Sequence, residues 1–136
     1  MSTPNAAASR ARLPDTAAAI SNFSEPTLLN SLAFAEDSIL AINPIIYAEV
    51  SIGFERIEAL ESALPDRDFR RLSLPFEAAF LAGKAFLGYR WRGGPRQTPL
   101  PDFYIGAHAA VSRLRLLTRD TSGFRSYFPG LELIAP

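Results

Sequence analysis

A short apolar run, Ser38-Ile39-Leu40-Ala41-Ile42, stops at Asn43-Pro44 and gives way to a stretch with apolar residues three, four and seven positions apart. A run that short reads as a buried strand, because helices are usually ten residues or more. Asn is a good helix N-cap and Pro suits the first helical position, so the pair marks a switch from strand to helix. Ile46, Val50, Ile57, Leu60 and Leu64 then predict one buried stripe along a helix reaching about residue 64. The pattern repeats downstream. Phe69–Leu74 reads as a short strand, and 75–91 as a helix on which Phe76, Phe80, Leu87 and Trp91 recur as core. Residues 102–113 form a third long helix, and 114–118 and 131–134 two further strands. Residues 27–36 read as a short helix, 92–99 as a Gly/Pro loop, and 121–128 as a loop with a helical turn. Strands alternating with helices predict an α/β domain of three layers, a mostly parallel sheet flanked by helices. Strands 38–42, 114–118 and 131–134 are expected side by side. The Arg- and Pro-containing residues before Thr16 make a poor strand, so a first strand there is weak or absent.

With 136 residues the chain fits one domain, expected over 15–136 behind a tail of residues 1–14. It contains no Cys and one His, which excludes thiolate zinc sites, disulfides and sites built on several His ligands. Any metal must be held by oxygen, and oxygen ligands favour hard cations, Mg2+ or Mn2+. No apolar run reaches the roughly 18 residues of a membrane span, and the N-terminal stretch has no hydrophobic signal core. A cytoplasmic protein without a membrane partner is expected.

The formal net charge of zero hides an asymmetry. From Asp15 to Glu77 there are eleven acids and four bases, a balance of −7; from Lys84 to Arg125 there are eight bases and two acids, a balance of +6. A basic half suits a polyanion, because each neutralised phosphate releases counterions. Around 89–96, Tyr89, Trp91, Arg92 and Arg96 interleave aromatic and basic residues, a pattern that serves RNA stacking and phosphate pairing or, equally, helix packing beside a solvated loop.

Three acids sit where chemistry is possible. Glu49 lies inside the helix opened by Asn43, on the edge of its apolar stripe, where a carboxylate is costly unless paired or metal-bound. A salt bridge to Arg is the plainer account. Asp102 follows Pro101 at a helix start, where the helix dipole alone stabilises an acid. Asp120 closes the strand LLTRD at its carboxyl end, the edge where open α/β sheets bind ligands; a turn acid is the alternative. Clustered carboxylates repel, and a divalent cation offsets that repulsion while activating a water toward a phosphodiester. His108 reads as a packed helix histidine rather than a general base. No GxxxxGK[ST] or G-x-S-x-G motif is present, so nucleotide triphosphate and serine hydrolase chemistry have no support.

The segments INPIIYAEVSIGFERIEAL, LPFEAAFLAGKAFLGYRWRGG, LPDFYIGAHAAV, LLTRD and YFPGLELIAP resemble PIN-domain toxins of the VapC type, over residues 38–136. The resemblance implies a sheet-centred α/β fold, Mg2+ or Mn2+, endonucleolytic RNA cleavage, homodimerisation and neutralisation by a small antitoxin. It matches Glu49 to the helix acid, Asp102 to the third acid and Asp120 to the fourth, as catalytic residues and metal ligands. The family's first acid ends an apolar strand in Asp-Thr-Asn or Asp-Ser. Here it matches Asp15-Thr16, with Ala17 in place of the Asn, which makes Asp15 a fourth candidate ligand. Arg92, Arg96 and Arg119 are candidate RNA contacts. The degenerate first motif leaves a second reading open: a pseudo-nuclease that keeps the fold and binds only antitoxin or RNA.

Overall fold

The structure, a computed structural model, describes residues 18–20, 39–94 and 100–135. Along them strands and helices alternate: β1 (Ala18–Ile20), β2 (Leu40–Ile42), α1 (Pro44–Ser51), α2 (Ile57–Ala63), β3 (Phe69–Arg71), α3 (Phe76–Trp91), α4 (Leu100–Val111), β4 (Arg115–Leu117), α5 (Thr121–Tyr127) and β5 (Leu133–Ile134). The expected helix 27–36, the tail and Asp15 lie outside the described residues, as does Arg96.

All the pairings are parallel, in the order β3-β2-β1-β4-β5. Leu40, Ala41 and Ile42 are all buried, as are Phe69, Leu116 and Leu117. A strand covered on both faces reads as an unbroken apolar run, which is why β2 was visible in the sequence; β3, at the sheet edge, buries Phe69 alone and exposes Arg70 and Arg71. The residues before Thr16, expected to make a weak or absent first strand, lie outside the described residues; the first described strand, β1, follows them and is central, with Ala18 opposite both Leu40 and Arg115 and Ile20 opposite Leu117. It therefore separates strands 38–42 and 114–118, which were expected to be neighbours. Alanine has little strand preference of its own; pairing on both edges supplies what propensity does not.

Three further expectations change. The long helix 44–64 is two helices, because consecutive turns close α1: Ile52 N–H donates to Glu49 O (3.3 Å), Gly53 N–H to Val50 O (3.1 Å) and Phe54 N–H to Ser51 O (3.0 Å). The break resets the helical phase, so Ile46, Val50, Leu60 and Leu64 are buried while Ile57 is 65 % exposed. Residues 121–127 form a helix rather than a loop, capped by Asp120 and anchored by the fully buried Phe124. Helix α3 shows the opposite face from the one expected: Phe76 is 92 % exposed and Trp91 78 %, whereas Ala78 and Ala82 are fully buried. Two apolar faces at helical spacing coexist on α3, and periodicity cannot choose between them; the small alanines allow the closer approach to α4.

That approach builds an aromatic cluster around Phe103 of α4. Phe86 meets it edge-on at 5.3 Å between ring centroids, Tyr127 lies at 4.4 Å and Tyr89 at 5.8 Å. Gly106 lets α4 settle on Phe128, whose ring a Cβ there would strike. Phe103 is the residue after Asp102, so the cluster also fixes the start of α4.

Candidate metal centre

Asn43 follows β2 and Asp120 follows β4, so the carboxyl edge of the sheet carries the polar residues. At that edge Asn43 Oδ1 accepts from Ile46 N–H (2.9 Å), capping α1 as the sequence predicted. Its Nδ2 reaches across to His108 Nδ1 on α4, also at 2.9 Å. Glu49 lies in the last turn of α1, where the helix dipole offers a carboxylate no help. Its Oε1 is buried without a hydrogen-bond partner among the described residues. Asp102 lies in the first turn of α4, 8 % exposed. Asp120 caps α5, its Oδ1 accepting from Gly123 N–H (3.0 Å) while its own N–H donates to Thr118 Oγ1 (3.1 Å). Glycine is required at 123 for this, since a Cβ there would collide with the Asp120 carboxylate.

The electrostatics connect the three acids. Burial, then the charge of Asp102, pushes the Glu49 carboxyl above its usual range. Burial, then the charge of Asp120, does the same to Asp102. Desolvation is the larger cause in both, ahead of the like-charge repulsion expected for clustered acids. No ion pair within 4 Å joins any of the three to an Arg or Lys among the described residues, so the plain salt-bridge account of Glu49 does not hold there. Equally, among the described residues no three carboxylates stand close enough to share one ion as direct ligands. An orphaned, buried carboxylate oxygen and an all-oxygen donor set fit a small hard cation, and Mg2+ keeps several waters through which more distant carboxylates are reached.

The candidate RNA contacts are dispersed. Arg92 Nη2 donates to Ser126 O (3.1 Å), toward the far end of α5 from Asp120. Arg119 is exposed beside Asp120. His108 is 3 % exposed and burial lowers its pKa, so it is a packed neutral histidine, as the residue pattern suggested. Asn43 and Thr118 are the polar residues that sequence reading did not place at the site; Asn43 was visible only as a helix cap.

The PIN domain family model matches residues 12–127 of this chain. No curated protein sequence matches it. Among solved structures, a chain of the VapBC2 complex from Rickettsia felis, crystallised with a promoter DNA fragment, is similar: TM-score 0.66, 16 % identity, 88 % of this chain and 98 % of that one covered. VapBC-1 from nontypeable Haemophilus influenzae gives 0.66, 17 %, 88 % and 96 %. A toxin–antitoxin complex from Klebsiella pneumoniae gives 0.59, 20 %, 86 % and 95 %. The parallel sheet, its strands alternating with helices and Asp120 following β4 at its carboxyl edge, defines an α/β domain. The chain belongs to the PIN domain family.

Proposed function

We propose that this chain is a divalent-metal-dependent endoribonuclease acting in the cytoplasm as the toxin half of a toxin–antitoxin pair. What carries the reading is Glu49 Oε1, a buried carboxylate oxygen with no hydrogen bond among the described residues, which feels the charge of Asp102. Such a group is costly in an apolar setting and is accounted for by a cation. Glu49, Asp102 and Asp120 would hold Mg2+ or Mn2+, which would supply a Lewis acid that activates water toward an RNA phosphodiester and offsets charge on the phosphate. Asp102 is oriented by its neighbour Phe103, Asp120 by Gly123 and Thr118, and Glu49 by the capped helix α1. Arg119, beside Asp120 and exposed, would meet the phosphate backbone in this reading.

An antitoxin and a second copy of the chain are the protein partners in this reading. Its support is the similarity to toxin–antitoxin structures together with the apolar face of α3, where Phe76, Phe80 and Trp91 are each at least 70 % exposed. The test is RNA cleavage with Mg2+ or Mn2+, with EDTA as control, on the wild type, Glu49→Gln and Asp102→Asn. Cleavage that survives EDTA, or survives both substitutions, overturns the metal mechanism. The pseudo-nuclease reading has its own observation: no three described acids share one ion directly. It predicts a wild type that binds RNA or antitoxin and cuts nothing.

A further inference from the structure

Asn43 and His108 are 65 residues apart in sequence, each 3 % exposed, and joined side chain to side chain at 2.9 Å. The orientation of both groups follows from donor counting. Ile46 N–H is a donor only, so the Asn43 atom facing it at 2.9 Å is Oδ1. The atom facing His108 is then the amide nitrogen, also a donor only. His108 Nδ1 must therefore be the bare ring nitrogen, with the proton on Nε2. One amide thus caps α1 with its oxygen and ties α1 to α4 with its nitrogen.

Those two helices carry Glu49 and Asp102. Glu49 is six residues after Asn43, and Asp102 six residues before His108. At about 1.5 Å per residue, each acid lies roughly 9 Å of helix from its end of the bond. The same two helices are thus tied together at Asn43–His108 and set against each other at Glu49 and Asp102, where like charges repel. We infer that Asn43 and His108 are positioning residues: their buried hydrogen bond sets the separation of Glu49 and Asp102 for a divalent cation against the repulsion between them. The inference rests on the metal reading above. Ser or Thr at position 43 would cap α1 equally well. Their one hydroxyl oxygen is held at the cap, and only the amide has a second polar atom that reaches across to α4.

The experiment is calorimetric titration of the full chain with MnCl2, with thermal melting of each variant as a fold control. Asn43→Ser keeps the cap, and its single hydroxyl, held at Ile46 N–H, is too short to span to His108; His108→Phe loses the acceptor; His108→Gln offers an amide oxygen to Asn43. Asn43→Ser and His108→Phe are expected to weaken Mn2+ binding by about 10- to 100-fold, the usual cost of an outer-shell partner. His108→Gln is expected to retain most of the affinity. Nitrogen NMR of wild-type His108 should show a bare Nδ1 and a protonated Nε2. A wild type that binds no Mn2+ refutes the metal reading itself. A wild type that binds it, with Asn43→Ser and His108→Phe binding equally well, overturns this inference alone, as does a protonated Nδ1. If either variant fails to fold, the other and the tautomer decide.

Discussion

Burial, and then the charge of Asp102 at the start of α4, raises the pKa of Glu49 in the last turn of α1, and no ion pair within 4 Å joins either acid to a cationic side chain among the described residues. Two part-buried acids held against each other destabilise the fold in their charged forms. The folded state favours their protonated forms, so their contribution to stability is fully present below the unfolded carboxylate pKa and is lost as pH rises through the raised folded values. In EDTA the melting temperature is therefore expected to fall as pH rises through and above the ordinary carboxylate range. Added Mn2+ should restore it at the upper end of that range and not at the lower. A melting temperature equally indifferent to Mn2+ at both ends would count against a metal centre here.

Glu49→Gln follows from the same repulsion with an unusual sign. The amide removes a charge that has no partner among the described residues, so in EDTA at neutral pH the variant should melt at or above the wild type. In Mn2+ the order should reverse, because the wild type gains binding free energy that the variant lacks. Destabilisation by Glu49→Gln in EDTA would show that the carboxylate is paired after all.

Much of this architecture was legible because β2 is short, apolar and buried throughout, because Phe69, Leu116 and Leu117 give β3 and β4 an apolar signal beside their arginines, and because Asn43-Pro44 punctuates the switch to α1. What was not legible had physical causes. Alanines in β1 carry no strand signal, yet pairing on both sides places that strand at the centre of the sheet. The stripe through Ile57 was broken by the tight turns at 52–54, which single-residue periodicity does not reveal. On α3 the larger side chains drew the core assignment, but Ala78 and Ala82 are what α4 can approach. The acids Glu49, Asp102 and Asp120 came from family resemblance, and nothing local to residues 43 and 108 announces that they meet.

The aromatic cluster gives a stability prediction of known size. Phe103 is fully buried and touches rings from α3 and α5 and the following turn. Phe103→Ala should cost about 3–5 kcal/mol in denaturant unfolding. By contrast, Phe76→Ser and Trp91→Ser should each stay within roughly 0.5 kcal/mol in the unassembled chain, since surface changes away from its own packed features do little. Losses of core size at Phe76 or Trp91 would restore the face that helical periodicity favoured.

Gly123→Ala separates stability from site geometry. A Cβ at 123 displaces the Asp120 carboxylate from its cap, costing about 1 kcal/mol, while alanine in a helix gains about 1 kcal/mol over glycine. The melting temperature should hardly move. Mn2+ affinity should drop, because Asp120 no longer lies where Gly123 N–H and Thr118 keep it. Unchanged affinity would remove Asp120 from the ligand set.

Asp15 is the remaining candidate ligand, and chain direction bears on it. Every described strand runs the same way, and the polar edge is formed by residues that follow strands: Asn43 after β2 and Asp120 after β4. Asp15 lies outside the described residues; in sequence it stands three residues before β1, whereas the resemblance puts the family's first acid at the end of its strand. A site short of one ligand holds its cation less tightly and orients water less well, and misplacement by about 1 Å costs roughly 100-fold in rate. Wild-type RNA cleavage is accordingly expected to be feeble. Asp15→Asn should leave its rate unchanged, while Asp102→Asn abolishes it; single-turnover cleavage in Mn2+ measures both. Loss of cleavage in Asp15→Asn, with an unchanged melting curve, would return Asp15 to the metal ligands and bring the carboxylate count to four.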